Sequence, residues 1–409
     1  MNYENRVVVT GMGIISCLGN TIADVSHSLQ NGIPGYGIDQ ERINLGFRSP
    51  LTGIIKNFDE KAYLDRKRRK TMSLSTLWAY AASEQAIKDS GLPSDLIASP
   101  ETGIIFGHDS VAEPSYLATK TLLEEKSSKS IGSGYIFQIM NSTVTMNLST
   151  IFNTKGANWS IAGACASGSH AIGQAAELIR TGQQERMIAG GAQEINYHVM
   201  ASFDALNAFS VSIENPTMAS KPFDKSRDGL VPSGGAASVV LERMDLAMAR
   251  GATIYGEIVA YSFSSDGDDM SAPNGIGAEL AMKKTLKRAG LTPADIQYIN
   301  AHATATPRGD GMEALAISNL FGNKPLVSST KSMTGHECWM AGASETIYSL
   351  IMIKDKFIAP NINFSEPDEY SSKINIVSKK LDFNLKTVLS NSFGFGGTNS
   401  ALIIRAVEG

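Results

Sequence analysis

A chain of 409 residues is too long for one ordinary domain and suits two. Its 43% hydrophobic and 19% charged residues exclude disorder throughout, and 36 basic against 40 acidic residues argue against a general nucleic-acid or membrane-surface binder. Three cysteines are too few for a disulfide framework or a closed zinc site, no signal sequence opens the chain, and no apolar run is long enough for a membrane span. We therefore expect a soluble cytoplasmic protein that holds no metal.

Short apolar runs alternate with helix-periodic stretches along the chain, which predicts an α/β fold. Strands are expected at 7–9, 103–106 and 237–241, and a helix at 73–90 that ends at Gly91. Residues 86–92 followed by a strand resemble residues 285–291 followed by a strand at 296–300. Chance similarity of two amphipathic helices is one explanation. The other is a duplicated α/β half, which gives halves at 1–250 and 251–409 with a cleft between them.

Cys165 lies where a strand predicted at 158–164 meets a helix predicted at 167–181. The small residues at 163–169 permit a sharp turn and a close approach by substrate. The positive end of the helix dipole is expected to favour a thiolate, which makes Cys165 a candidate nucleophile. A buried structural cysteine is the alternative, and Cys17 and Cys338 are interpreted in that way.

Two histidines follow predicted strands in the other half. His302 comes directly after the strand at 296–300, and His336 follows Lys331 where another strand gives way to a turn. Because α/β folds carry reactive side chains at strand ends, we expect a centre made of Cys165, His302 and His336. The remaining histidines are interpreted as structural (His27, His170, His198) or ambiguous (His108).

Two glycine-rich segments suggest different conclusions. Residues 391–399 form a glycine-dense turn before a strand, and its backbone N–H groups could serve an oxyanion hole or a phosphate nest. Residues 10–16 imitate part of a dinucleotide-binding fingerprint but place Ser16 where the third glycine belongs. A Rossmann cofactor site is therefore not expected.

One basic run, 66–70, stands out in an acidic chain. Such a run is usually a solvated face, and the alternative is a docking site for an acidic partner. Lys126 and Lys129 could extend it. We call Arg66, Lys67, Lys70, Lys126 and Lys129 the basic patch.

Four separated motifs together resemble the β-ketoacyl-ACP synthases of the elongating type I/II kind, within the thiolase-like superfamily. They are the segment around Cys165, His302 with Thr304 and Thr306, Lys331 with His336, and the glycine-rich turn that contains Phe395. The resemblance covers nearly the whole chain. It implies a five-layer αβαβα fold built from two similar halves, and a dimer.

The resemblance also implies a role for each motif residue. Cys165 would take an acyl group from the phosphopantetheine arm of acyl carrier protein, and His302 and His336 would promote decarboxylation of malonyl-ACP. The backbone N–H groups of Cys165 and Phe395 would hold the oxyanion, while Lys331 and Glu345 would support the histidines. No cofactor is expected beyond the arm that the substrate carries, and the basic patch would receive the carrier protein. The implied substrate-binding residues are Thr304, Thr306, Ser110, Met140, Phe203 and Gly396.

Some positions depart from the family pattern. His-Gly-Thr-Ser-Thr is here His302-Ala303-Thr304-Ala305-Thr306, and residues 337–340 replace the small residues that usually follow His336. The loop 108–111 and Met140 match positions that shape the acyl tunnel at the dimer interface. These changes suit a ketosynthase of a type II polyketide or aryl-polyene system, which often pairs with a chain-length factor.

Three further readings are disfavoured by the residues present. A degradative thiolase would need a second cysteine near the glycine-rich turn, and 394–397 contains none. A chain-length factor would lack the nucleophile, whereas Cys165, His302 and His336 are all present. A cysteine hydrolase would need an orienting carboxylate or amide beside its histidine.

Overall fold

The computed structural model describes residues 5–407. Met1–Glu4, on which the expectation of no signal sequence partly rests, lie outside the described residues, as do 408–409. Among the described residues, no helix is both long enough and apolar enough to cross a bilayer.

The strands of the described chain, in order, are β1 (Val7–Ile15), β2 (Tyr36–Ile38), β3 (Leu51–Gly53), β4 (Thr102–Gly107), β5 (Asn158–Ile161), β6 (Arg186–Gln193), β7 (Gly235–Arg243), β8 (Gly256–Ser265), β9 (Tyr298–Asn300), β10 (Leu326–Ser328), β11 (Phe357–Ile358), β12 (Asn375–Ile376), β13 (Leu381–Asp382), β14 (Thr387–Gly394) and β15 (Thr398–Arg405).

The α-helices over the same residues are α1 (Ile22–Asn31), α2 (Gln40–Asn44), α3 (Glu60–Tyr63), α4 (Arg66–Arg69), α5 (Leu74–Ser90), α6 (Ser94–Ile97), α7 (Glu113–Glu125), α8 (Tyr135–Ile139), α9 (Thr143–Phe152), α10 (Ser167–Arg180), α11 (Tyr197–Ala205), α12 (Met244–Ala249), α13 (Ile276–Ala289), α14 (Pro307–Phe321), α15 (Lys331–Thr334) and α16 (Ala341–Asp355).

The main sheet shows the duplication directly. Its order is β12-β10-β9-β14-β15-β8-β1-β7-β6-β4-β5. Each half contributes five main strands, which can be numbered one to five in chain order. Both halves place them side by side in the order three, two, four, five, one, as β5-β4-β6-β7-β1 in the N-terminal half and β10-β9-β14-β15-β8 in the C-terminal half. The halves join where β1 pairs antiparallel with β8. The similarity of 86–92 to 285–291 therefore reflects a repeated fold and not chance.

Helices form three layers around the two halves of the sheet. The outer helices α5 and α9 pack on β1, β4, β5 and β7, while α13 packs on β8 and β15 of the other half. Between the halves, α10 contacts α16, and each of these helices packs on strands of both halves. This is the αβαβα, thiolase-like arrangement expected above. The chain passes between halves from Arg243 to Gly256, and the division at 250/251 stays a prediction.

The local signals for the longest predicted helix are visible in α5. The Ser73 side chain accepts a hydrogen bond from the Thr76 N–H at the helix start, and Gly91 ends the helix with φ of 63°. Glycine adopts this left-handed conformation without the strain that a Cβ would bring. The prediction that 158–164 is a strand running into a tight turn is confirmed, because β5 ends at Ile161 and a tight turn follows.

Candidate active site

The turn that carries Cys165 is held by two side chains. After β5, residues Ala164–Ala166 form a 3-10 turn that leads into α10. Gly163 donates its N–H to Ser167 Oγ at 2.9 Å, and Ala164 donates to Asp109 Oδ2 at 2.7 Å. Ala164 has φ of 45°, a conformation that costs free energy in a non-glycine residue and is kept by these bonds. The sequence analysis missed Asp109, because 55 residues separate the two partners of its bond.

The Cys165 thiol is protonated at rest. Its side chain is buried, and burial raises the pKa of the thiol to about 12 although Lys331 opposes that shift. The backbone N–H groups of Cys165 and Phe395 are directed at the sulfur and also lower its pKa. The expectation of a thiolate favoured by the helix dipole is therefore wrong for the free protein, because desolvation outweighs the nearby positive groups. These are the two N–H groups to which the family resemblance assigns the oxyanion, and that role stays a prediction.

His302 and His336 meet at the same site. Their ring centroids are 5.3 Å apart and their planes stand at 89°. Burial lowers the pKa of each imidazole well below its ordinary value, and Lys331 lowers both further. Both rings are thus neutral, and each can donate one N–H to a substrate oxygen.

Acidic residues of α14 hold the backbone around His302. Glu313 accepts hydrogen bonds from the N–H groups of His302 at 2.9 Å and Ala303 at 2.7 Å. Asp310 accepts from Thr304 at 3.0 Å and Ala305 at 3.2 Å. The i, i+3 spacing of these carboxylates on a helix that begins at Pro307 places them on one face, and that spacing was a signal the sequence analysis did not use.

Lys331 and Glu345 form a buried ion pair behind the histidines. Their side chains are each 1% exposed, and Lys331 Nζ donates to Glu345 Oε1. Burial raises the pKa of Glu345 to about 8, and Lys331 acts in the opposite direction. The ammonium lies close enough to lower the pKa values of both imidazoles and of the thiol.

The glycine-rich turn approaches Cys165 closely. A Cβ on Gly394 would lie 3.0 Å from the Gly163 carbonyl oxygen and 3.1 Å from the Cys165 nitrogen, so only glycine fits without displacing the nucleophile turn. Gly396 has φ of 75°, and its N–H bonds the Met270 carbonyl at 2.8 Å. The turn therefore brings the Phe395 N–H from the C-terminal half to the sulfur of the N-terminal half.

One cavity of about 410 Å³ brings most of the predicted residues together. Its lining includes Cys165, Phe203, His302, Thr304, Thr306, His336 and Phe395. Phe203 and Phe395 stack there with centroids 6.0 Å apart. The structure thus joins the thiol of one half with the two imidazoles of the other.

Three predicted substrate-binding residues do not line this cavity. Met140 follows α8 and is 42% exposed at the surface. Ser110 is half-buried beside Asp109, and Gly396 lies within the glycine-rich turn next to Phe395. Within the described chain, the cavity also does not reach Lys331 or Glu345, which act from behind the histidines.

The ambiguous histidine is structural. His108 is fully buried, with Nε2 3.1 Å from Ser75 Oγ and Nδ1 2.9 Å from the Asn141 carbonyl. His170, interpreted as structural, lies between Tyr261 and Thr398 with both ring nitrogens in hydrogen bonds.

All five residues of the basic patch are exposed. Arg66 and Lys67 lie on α4, whose start is capped by Asp65, and Lys70 ends that helix. Lys126 ends α7 and Lys129 lies in the turn after it. The neighbouring Arg69 is instead paired with Glu60 at 2.6 Å. Gln138 of α8 donates a hydrogen bond to the Lys70 carbonyl at 2.9 Å.

The fold and this centre define the class of the protein as a condensing acyltransferase with a thiolase-like fold. Family models agree: residues 4–247 match the N-terminal domain of beta-ketoacyl synthase, and residues 255–365 match its C-terminal domain. The chain belongs to the β-ketoacyl synthase family.

Individual relatives agree over their full lengths. The chain is 43% identical to 3-oxoacyl-[acyl-carrier-protein] synthase 1 of Haemophilus influenzae, over 99% of this chain and 100% of the relative. A crystal structure of a beta-ketoacyl synthase from Burkholderia phymatum superposes with a TM-score of 0.93 at 36% identity, covering 99% of this chain and 100% of that one. A type II polyketide ketosynthase, solved in complex with its acyl-carrier protein, superposes with a TM-score of 0.88 at 27% identity, over 98% and 100%.

Proposed function

We propose that this protein is a 3-oxoacyl-ACP synthase of fatty-acid elongation. The observation that carries the proposal is the single cavity in which the Cys165 thiol faces the neutral imidazoles of His302 and His336. The two full-length relatives named above, a 3-oxoacyl-ACP synthase at 43% and a beta-ketoacyl synthase at 36% identity, support it.

The first half-reaction loads the enzyme. The Cys165 sulfur attacks the thioester carbonyl of an acyl-ACP, and the N–H groups of Cys165 and Phe395 stabilise the oxyanion of the tetrahedral intermediate. When the intermediate collapses, the phosphopantetheine thiolate leaves and takes up the proton that the Cys165 thiol has lost. An acyl-enzyme thioester and free carrier protein result.

The second half-reaction forms the carbon–carbon bond. His302 and His336 donate N–H hydrogen bonds to the thioester carbonyl of malonyl-ACP, so that negative charge can move onto this oxygen as carbon dioxide leaves. The enolate carbon attacks the acyl carbonyl on Cys165. Loss of the Cys165 thiolate, which then takes up one proton, gives a 3-oxoacyl-ACP that is two carbons longer. Neutral imidazoles suit this role, because each keeps an N–H to donate.

One part of the cavity suits the phosphopantetheine arm of the carrier protein. From the histidines it continues past Thr304 and Thr306, whose hydroxyls are 3.2 Å apart, towards Pro307 and Arg308. We assign these two hydroxyls to hydrogen bonds with the phosphopantetheine. The arm arrives with the substrate, so the reaction as proposed requires no separate cofactor and no metal.

Acyl carrier protein is the proposed partner, and the basic patch is its proposed docking surface. Five exposed cations, three of them within residues 66–70, would attract an acidic protein by charge-steered encounter. The type II polyketide ketosynthase solved in complex with its acyl-carrier protein supports the choice of partner.

A dimer is also part of the proposal. β5 is an edge of the main sheet, and its Trp159 side chain is exposed. Ile136, Phe137 and Met140 of the α8 region are exposed as well. An open edge with exposed large apolar side chains suits pairing with a second subunit, either an identical chain or a chain-length factor. Met140 and Ser110 would contribute to substrate binding only through that assembly. We further propose that the protein acts in the cytoplasm.

A ketosynthase of a type II polyketide or aryl-polyene pathway is the second candidate. The unusual residues 337–340 after His336 favour it, and its chemistry would be the same. It has less support, because the polyketide structure is 27% identical to the chain while the fatty-acid synthase relative is 43% identical.

Intact-mass measurement tests the proposal. The protein is incubated with a panel of saturated and polyunsaturated acyl-ACPs, and the mass added is located by peptide mapping. We expect transfer of saturated acyl groups to Cys165 and none to the Cys165→Ala variant, which keeps Cys17 and Cys338 as internal controls. Transfer restricted to polyunsaturated chains would favour the second candidate, and no transfer from any carrier would refute both.

A further inference from the structure

Glu337 is a buried carboxyl group that the proposed reaction does not yet use. It directly follows His336 and is 1% exposed. Burial of an ionisable side chain is unfavourable unless its neighbours compensate. Its contacts therefore indicate what holds it there.

Two hydroxyl groups of α16 hold the Glu337 carboxyl. Ser344 Oγ donates to Glu337 Oε2, and the Tyr348 hydroxyl donates to Oε1 at 2.9 Å. These donors lie on either side of Glu345 in the sequence, and Glu345 accepts from Lys331. α16 thus carries both the carboxyl group that pairs with Lys331 and the two hydroxyl groups that hold Glu337. We call Glu337, Glu345 and Lys331 the charge cluster.

The cluster contains more acid than base. Burial raises the pKa of Glu337 to about 7 and that of Glu345 to about 8, while Lys331 lowers both, and each of the two hydroxyls lowers that of Glu337. Glu313 also acts on Glu345, and the thiols of Cys17 and Cys338 face Glu337 as neutral groups with raised pKa values. The cluster is therefore neutral when one carboxyl holds a proton and carries one negative charge when neither does. Because the two carboxyls interact, each apparent pKa describes the pair and not a single residue.

Net negative charge in the cluster would oppose the reaction. Lys331 lowers the pKa of both imidazoles, so a carboxylate that offsets the charge of Lys331 would change the potential where the enolate forms. A developing anion is disfavoured by an uncompensated carboxylate in a low-dielectric site. Loading of Cys165 requires no enolate and should depend less on the cluster.

We propose that Glu337 is a positioning residue of the condensing centre, whose charge acts on the Lys331–Glu345 pair and makes malonyl decarboxylation depend on the protonation of the two carboxyls. This inference rests on the proposed function and adds a control over its second half-reaction. Glu337 touches no reacting atom and acts through Lys331 and the histidines.

The test compares the pH dependence of the two half-reactions in Glu337→Gln. In the unaltered enzyme we expect kcat for malonyl-ACP decarboxylation to fall roughly tenfold between about pH 6 and about pH 8. Glutamine keeps the shape and removes the charge, and it also removes the neighbour that raises the pKa of Glu345. The variant should therefore lose this decline, with KM for malonyl-ACP within about twofold of the unaltered value. An unchanged decline in Glu337→Gln would overturn the inference.

A second pair of variants separates charge from structure. Tyr348→Phe removes a donor that favours the ionised carboxylate, so the pKa of Glu337 rises and the decline should move to higher pH. Ser349→Ala is the matched control, because the Ser349 hydroxyl is buried on the same helix but bonds the Glu345 backbone carbonyl. Equal shifts in both variants, or none in Tyr348→Phe, would contradict the inference. Acylation of Cys165 in the same samples shows separately whether the proposed function holds.

Discussion

The imidazole of His302 stands edge to face with that of His336, and the two come from separate loops of the C-terminal half. Glu313 fixes the backbone of His302, and the His336 N–H bonds the Val231 carbonyl at 2.7 Å in the N-terminal half. Each histidine is thus held by a hydrogen bond from its backbone N–H, and the N–H of the imidazole ring stays available for substrate. The two half-reactions can therefore be separated by mutation.

We predict that His336→Ala spares loading and impairs decarboxylation. The variant keeps the Cys165 thiol and its two N–H donors but loses one of the two donors to the malonyl carbonyl. We expect decarboxylation of malonyl-ACP to fall by roughly 10²- to 10⁴-fold. Released carbon dioxide measures this step, and intact mass measures acyl-Cys165. Loss of both steps to the same extent in a folded variant would contradict the division of roles.

We predict that the Lys331–Glu345 pair contributes both to the free energy of unfolding and to the rate of decarboxylation. A double variant can separate the two contributions. Lys331→Met leaves a carboxylate buried without its cation, which should lower the free energy of unfolding by about 3–5 kcal/mol. Lys331→Met with Glu345→Leu should recover most of that stability and still decarboxylate slowly. Lys380→Met, at an exposed pair 3.1 Å from Asp382, should cost about 1 kcal/mol at most. Denaturant unfolding provides the values, and full activity in the double variant would refute the electrostatic role.

Charge reversal of Arg66, Lys67 and Lys70 is predicted to weaken carrier binding. At low salt we expect the KM for acyl-ACP to rise about tenfold or more, and the difference should shrink as salt screens the encounter. The matched control reverses Lys283, Lys287 and Lys379, which are exposed elsewhere on the surface. If both triple variants raise KM equally, the docking surface lies elsewhere.

Gly168→Ala is predicted to destabilise the protein at the junction of the halves. A Cβ there would lie 2.9 Å from the Ala343 nitrogen and 3.0 Å from the carbonyl oxygens of Trp339 and Met340. All three are backbone atoms and cannot move aside cheaply, so a loss of about 1–3 kcal/mol is expected. Gly132→Ala, whose Cβ would meet only the Tyr135 ring at 3.4 Å, is the control. Equal unfolding midpoints for both variants would show that the packing tolerates the methyl group.

Much of the fold was predictable because its signals are local. The capped helix α5 and the two Gly-Leu turns are short-range patterns, and they indicated two similar halves. The residues of the site were predictable because Cys165, His302 and Lys331 each follow a strand. What the sequence could not indicate is pairing across distance, as between Asp109 and Ala164, or Glu313 and Asn391 at 3.0 Å.

The state of the thiol shows a second limit. A helix N-terminus is visible in the sequence and favours a thiolate, whereas the depth of burial depends on elements from the whole chain. Burial has the larger effect at Cys165, so the pKa of the thiol is raised, whereas the helix N-terminus alone would lower it. Phe203, Cys338 and Trp339, far apart from Cys165 in sequence, belong to the apolar cluster that desolvates it.

Condensation itself tests the central claim most directly. Purified protein is given an acyl-ACP and malonyl-ACP, and the carrier-bound product is identified by mass spectrometry. We predict a 3-oxoacyl-ACP two carbons longer than the primer, formed with one carbon dioxide for each product, and no such product from Cys165→Ala. Equal product from the Cys165→Ala variant would contradict the account.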